Sequence, residues 1–191
     1  NGDGFPTPVF VCNFAAVLER AKDYIVIRGC GAISPLGCDV ATSTQAYLKG
    51  KAAFTYIQHA GVPTPVAPLS ADSELQVQHL IAANPNYRQL DRSVLMAIYA
   101  ARQAVAQAGW LDASNSLQGL QNDLAVNVGS SRGATGLFEH HYSAFQQGQL
   151  SSSASPTTTL GNLSSWVAHA VDAGGAQISH SITCSTALMA V

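Results

Sequence analysis

Cys184 is the residue of this chain best placed to do covalent chemistry. It stands in Gly175-Ala-Gln-Ile-Ser-His-Ser-Ile-Thr-Cys-Ser-Thr-Ala-Leu-Met-Ala-Val191, where a short strand-like stretch gives way to a helix-forming apolar run. A thiol at a strand-to-helix junction meets the partial positive charge and unpaired N–H groups of a helix N-terminus. Both favour the thiolate, the nucleophilic form, over the thiol. The competing reading is structural, because free cysteine is among the most buried residue types and usually packs as a small hydrophobe. Residues 185–191 follow the cysteine, so a general base C-terminal to it is expected outside these 191 residues.

The remaining chemistry-bearing residues are less organised. His180 lies four positions before Cys184. On a strand that spacing is roughly 13 Å, too far for direct proton transfer, so His180 is expected to be structural or interfacial. His140 and His141 are adjacent, and adjacent helical positions do not face one another, so the pair is expected at a surface or interface. The four cysteines, at 12, 30, 38 and 184, match neither paired zinc ligands nor a dense disulfide framework. A reducing cytoplasm is the expected setting, with no metal and no cofactor.

Composition sets outer bounds. The chain has 191 residues, 47% hydrophobic and 10% charged. An independent domain of this size is commonly about one quarter charged, so part of the surface is expected to be covered by further chain or by a partner subunit. The net charge of −2 gives no footprint for nucleic acid or anionic membrane. No stretch reaches transmembrane length, and the apolar segment Pro8–Leu18 has no basic residue before it, as a signal peptide would. The chain starts at Asn1 without a Met, and residues 1–23 are read as an N-terminal extension or an artefact.

The elements that must position Cys184 alternate between strand and helix. Tyr24–Arg28 predicts a buried strand, followed by a glycine-punctuated loop, Gly29-Cys-Gly-Ala-Ile-Ser-Pro-Leu-Gly37. Asp39 is placed to cap a helix running to about Gly50. Residues 61–73, with Pro63, Pro65 and Pro68, predict a loop. Asp91 opens the clearest helix, with Val94, Leu95, Ile98, Ala101, Val105 and Ala108 at helical spacing and Gly109 ending it. A strand over 124–128 runs into Gly129-Ser-Ser-Arg-Gly-Ala-Thr-Gly136, followed by a helix over 137–147 and a polar loop over 151–159. A helix over 162–171 and a strand over 178–182 lead to the cysteine. This alternation argues for an α/β fold around a largely buried sheet. Neither glycine-rich stretch is a nucleotide site by pattern. The first lacks the third glycine of a dinucleotide fingerprint and has Pro35 where the helix would start, and the second lacks a Lys-Ser/Thr pair.

Four segments, in order, resemble the N-terminal half of a β-ketoacyl synthase of the thiolase-like superfamily. Ile25–Gly37 is similar to the opening strand and its Thr-Gly-x-Gly-x-x-Ser-Pro-x-Gly loop. Leu90-Asp-Arg-Ser-Val-Leu-Met-Ala through Ala108-Gly-Trp110 resembles the family's Asp-Arg helix. Val128-Gly-Ser-Ser-Arg-Gly133 resembles the glycine-rich turn after the central strand. Gly175–Ala190 resembles the nucleophile segment. Thr183 stands where Ala is usual, Ala187 where Gly is usual and His180 where an apolar residue is usual; Arg132 occupies a turn position that is small or apolar in many relatives. These departures suggest a divergent branch, such as one handling an unsaturated or aryl-capped chain.

The resemblance implies a thiolase-like fold, with a mixed sheet layered with helices, over residues 24–191. It implies that Cys184 takes an acyl group from a thioester on an acyl carrier protein, then joins it to the carbanion left by decarboxylation of a malonyl thioester. Cys184 would be the nucleophile and its N–H an oxyanion donor. Arg132, Gly133 and Thr183 would line the substrate site, and two histidines, a lysine and a gating phenylalanine would lie beyond residue 191. A homodimer or heterodimer is expected, with residues 178–183 near the seam. The loops at 61–80 and 146–155 hold no Lys or Arg, so an acidic carrier is expected to dock elsewhere. Two other readings remain. One is a non-catalytic chain-length partner, which typically lacks the cysteine; the other is an inactive fragment that assembles with a complementary chain. A degradative thiolase, acting on coenzyme A thioesters, would carry its nucleophile much earlier in the chain.

Overall fold

The computed structural model describes residues 25–111, 117 and 122–191. The expected extension over residues 1–23, Cys12 and Tyr24 therefore lie outside the described residues. The central element is the long helix opened by Asp91. In chain order the structure runs α1 (Val40–Leu48), a hairpin of β1 (Thr55–His59) and β2 (Val62–Val66), α2 (Ala71–Ala83), a 3₁₀ turn (Pro85–Gln89) and α3 (Arg92–Gln107). It continues through β3 (Val126–Gly129), α4 (Thr135–Gln146), α5 (Ala154–Thr158), α6 (Asn162–Ala170), β4 (Gln177–His180), a 3₁₀ turn (Thr183–Ser185) and α7 (Thr186–Met189).

The apolar stripe of α3 behaves as its spacing predicts. Val94, Leu95, Ile98 and Val105 are buried. They form one cluster with Val77 and Leu80 of α2, Tyr87, and Leu163, Val167 and Ala168 of α6. Truncating a fully buried side chain such as Ile98 to Ala would cost about 2–5 kcal/mol. The helix ends are also as expected: Asp39 accepts from Thr42 N at 2.7 Å to cap α1, and Gly109 adopts φ 71° after α3, a conformation that favours glycine. β3 and β4 run parallel in the register Val126↔Gln177 to Gly129↔His180, and α6 packs on this pair.

Several expectations require correction. Residues 61–73 are not a loop, because Val62–Val66 pairs antiparallel with Thr55–His59 and α2 starts at Ala71. Ala60 and Gly61, at φ 50° and 78°, form the two-residue turn that a hairpin favours. Pro63 and Pro65 fit β2 because it is an edge strand, where a missing N–H costs no ladder bond. Helix α2 has a readable start: Ser70 accepts from Ser73 N at 3.1 Å. The 151–159 stretch contains the short helix α5, in which the Thr157 and Thr158 hydroxyls donate back to the carbonyls of Ser153 and Ala154 at 2.7 Å each. Ile25–Arg28 is exposed and makes no sheet ladder among the described residues, so the expected first strand is not formed there. The sheet is not largely buried either: of the eight residues of β3 and β4, Val126 alone is buried. Among the described residues no helix is long and apolar enough to cross a membrane.

Candidate active site

Two chain segments meet at Cys184. The first is the segment that carries Cys184. β4 ends at His180, the chain turns at Ser181 and Ile182, and Thr183–Ser185 forms a single 3₁₀ turn before α7. Thr183 has φ 47°, the left-handed region that a β-branched residue rarely enters. Such strain persists where surrounding contacts impose it, and it clusters at functional sites. The Cys184 side chain is exposed and free. The structural alternative of a buried, inert thiol is therefore not what the fold presents.

The second segment is the turn after β3. Ser130 N donates to His180 O at 3.0 Å, continuing the β3–β4 pairing beyond the strands. Ser181 Oγ donates to Ser131 O at 3.1 Å. Gly129 lies so close to α7 that a Cβ there would come 2.5 Å from Thr186 O. Gly133 takes φ 63°, and its N–H donates to Ser130 Oγ at 3.0 Å, closing the turn. The structure thus brings the Gly129–Gly133 turn, which carries Arg132 and Gly133, against the Ser181–Thr186 segment, which carries Thr183 and Cys184. Arg132 is exposed on this turn.

A third element fixes the turn from behind. Asp91, largely buried, serves two helices at once. Its Oδ1 accepts from Ser93 N at 2.8 Å, capping α3. Its Oδ2 accepts from Leu137 N at 3.1 Å, in the first turn of α4. Ser93 Oγ lies 2.6 Å from Asp91 Oδ1 and 3.3 Å from Gly133 O. The start of α3, the glycine turn and the start of α4 are therefore tied through one carboxylate. β4 is tied to α6 by Ser179 Oγ donating to Ser164 Oγ at 2.9 Å.

Sequence reasoning missed Thr186. It is 3% exposed, accepts from Ile182 N at 2.8 Å and donates to Thr183 O at 2.7 Å through the same hydroxyl. A hydroxyl two residues past a candidate nucleophile was a visible signal, but its partners are set by the turn. His180 ends β4 half-buried, and among the described residues no side chain hydrogen-bonds to the Cys184 thiol. His140 and His141 touch edge-on with ring centroids 5.4 Å apart on α4, and among the described residues no cluster of three or more ligating side chains could hold a metal.

Residues 22–191 match the family described as Beta-ketoacyl synthase, N-terminal domain. The chain belongs to this family. Among solved structures it is similar to a β-ketoacyl synthase from Burkholderia phymatum STM815, with TM-score 0.65 and 20% identity over 86% of this chain and 40% of that one. It is also similar to the ishigamide ketosynthase/chain length factor, with TM-score 0.63 and 19% identity over 86% of this chain and 46% of that one. No curated protein matches the chain in sequence. The chain spans less than half the length of either structure, and the fold it shares with them is the thiolase-like ketosynthase fold. The matched region takes in both segments that meet at Cys184.

Proposed function

We propose that this chain supplies the nucleophile side of a β-ketoacyl synthase and that Cys184 carries the acyl group. The observation that carries this reading is an exposed thiol on a strained strand–turn–helix junction inside the region that matches the family. The Cys184 thiolate attacks the carbonyl carbon of an acyl thioester on an acyl carrier protein. The C–S bond to the carrier breaks, and the carrier leaves as a thiolate. A malonyl thioester then loses carbon dioxide, and the resulting carbanion attacks the acyl–Cys184 thioester. Cys184 is released as a thiolate, and the product is a 3-oxoacyl thioester two carbons longer. Thiol-to-thiol transfer is close to balanced, so the first step is reversible. The Cys184 N–H is the assigned donor to the oxyanion, and the donors for decarboxylation are assigned beyond residue 191.

Thr183, Arg132 and Gly133 are assigned to the walls of the acyl site. The support is the contact between their two segments; Arg132 would add a cation at a position that is small or apolar in many relatives. Residues 24–191 are assigned to the ketosynthase domain, working in a reducing cytoplasm as part of a homodimer or heterodimer. Ile178 and Ile182 are 48% and 43% exposed in the single chain, which leaves the strand before the cysteine free to be covered. The second reading, a non-catalytic chain-length partner, draws on the solved ketosynthase/chain length factor to which the chain is similar. The presence of Cys184 argues against it.

The test is labelling of the full chain with an acyl thioester, followed by mass analysis of its peptides. The acyl group is expected on the peptide holding Cys184. Cys184→Ser should abolish labelling, while Cys12→Ser, Cys30→Ser and Cys38→Ser should leave it. Acyl transfer that survives Cys184→Ser would refute the assignment of Cys184, and a wild-type chain that takes no acyl group would favour the partner-subunit reading.

A further inference from the structure

The reading of Cys184 as an acyl carrier leaves open what holds its backbone in a strained turn. We infer that the buried Thr186 hydroxyl is a positioning residue that aims the Cys184 N–H at the oxyanion. The inference rests on the functional reading above and concerns how that site is built.

The geometry carries it in three steps. Thr183 O belongs to the same peptide unit as Cys184 N. A peptide unit is planar, with its C=O and N–H pointing in opposite directions. Whatever fixes the direction of Thr183 O therefore fixes the direction of the Cys184 N–H. Two donors converge on that oxygen from one residue: Thr186 N, closing the 3₁₀ turn, and Thr186 Oγ1 at 2.7 Å.

The same hydroxyl also accepts from Ile182 N at 2.8 Å. It thus grips the Ser181–Ile182 and Thr183–Cys184 peptides, which bracket Ile182 and Thr183, the residue at φ 47°. In the left-handed region a β-branched side chain pushes the chain back toward ordinary dihedrals. A two-sided clasp across Ile182 and Thr183 resists that relaxation. Backing comes from β3: Gly129 leaves room for the Thr186 backbone where any Cβ would crowd its carbonyl. Thr186 is buried while Cys184 beside it is exposed, so the clasp is shielded from water and the nucleophile is not.

A merely structural threonine and a positioning one differ in what they affect. Attack on a thioester builds charge on an oxygen that the Cys184 N–H must meet. Alkylation of the same thiol by iodoacetamide builds no such oxyanion and needs no aimed donor. In the full chain, Thr186→Val removes the hydroxyl at nearly constant shape. Its acylation by an acyl thioester should fall about 100-fold, the scale of losing one oxyanion donor, while the iodoacetamide rate stays close to wild type. Thr186→Ser keeps the hydroxyl and should restore acylation. Thr186→Ala, smaller and free of crowding, is a second hydroxyl-free variant with the same expectation should Thr186→Val not fold. Wild-type acylation in the folded hydroxyl-free variant, or equal losses in acylation and alkylation, would overturn the inference. A wild-type chain that takes no acyl group would instead overturn the functional reading, and the inference with it.

Discussion

The chain contains two glycine-rich loops that look alike on paper and do different work. Gly29–Gly37 and Gly129–Gly133 each follow an apolar, strand-like stretch, and each could be mistaken for a phosphate cradle. In both, glycine is needed because backbone meets backbone. The first loop lies on α3: a Cβ at Gly31 would overlap the Ala100 carbonyl and one at Gly29 the Ala104 carbonyl. The second lies against the segment that carries Cys184, with Gly129 on Thr186. The polar anchors differ in the same way. Gln103 of α3 pins the first loop by accepting from Ala32 N at 3.0 Å and donating to Cys38 O at 2.6 Å. The second is pinned to the residues around Cys184 through Ser130 and Ser181. Glycine content marks a close approach; the element approached decides whether it serves packing or chemistry.

Alanine at one glycine of each loop tests the distinction. Gly31→Ala sets a methyl against a helix carbonyl that cannot yield without bending α3. A loss of about 3 kcal/mol is expected, at the upper end of the range for overpacking, or a melting temperature lower by about 6–12 °C. The acylation rate per folded molecule should not change. Gly129→Ala strikes the shorter α7, which has less packing to hold it, so the melting temperature should fall less. Acylation of Cys184 should drop on the order of 10- to 100-fold as Thr186 and its clasp shift. Calorimetry and labelling rates on the two variants read both effects. If Gly129→Ala costs stability alone, both loops serve packing and the distinction fails.

How much of this was legible from the sequence follows from the range of the forces involved. Helix α3 was legible because its signals are local: Asp91 as a cap, an apolar stripe at 3.6-residue spacing and a terminal Gly109. Cys184 was legible as a candidate because its strand-to-helix segment resembles the family's, and the structure leaves it exposed. The β1–β2 hairpin was misread because Pro63 and Pro65 are turn signals locally and are acceptable in a strand only when its outer edge carries no ladder. Helix α2 was overlooked although Ser70 and the buried pair Val77 and Leu80 mark it. Ile25–Arg28 has strand composition, but a strand is defined by a neighbour, and composition cannot supply one. Thr186 and the double role of Asp91 escaped because both depend on partners fixed by folding. In the case of Asp91, Leu137 is 46 residues away.

Asp91 sharpens the comparison from the side of the second loop. Its carboxylate caps α3 and also reaches the first turn of α4, and Ser93 extends the tie to Gly133. Asp91→Ala removes acceptors from two helix starts, each worth about 1 kcal/mol, so a loss of about 2 kcal/mol is expected on calorimetry. Asp91→Asn keeps one acceptor oxygen and should lose less. Because the tie reaches the glycine turn, Asp91→Ala should also slow acylation modestly, unlike Gly31→Ala. An unchanged acylation rate would show that the turn holds its shape through Ser130 and Ser131 alone.

The smallest expected effect belongs to the ion pair beside that cap. Arg92, the first residue of α3, faces Glu74 of α2 with both guanidinium nitrogens on the two carboxylate oxygens. The Arg92 hydrogen bond holds the Glu74 carboxyl below its ordinary value, and the same bond raises the Arg92 guanidinium. Both side chains are more than a third exposed, so solvent screening limits the pair to about 0.5 kcal/mol. The sign follows from linkage. With the folded-state value lowered, the contribution is present above the ordinary carboxylate range and disappears as pH falls through the folded-state value. Glu74→Gln should therefore cost a few tenths of a kcal/mol at neutral pH and nothing once the wild-type carboxyl is protonated. Denaturant titrations of wild type and variant should converge toward acid, and acylation by Cys184 should be the same in both. A gap that persists in acid would mean that Glu74 acts through packing rather than charge.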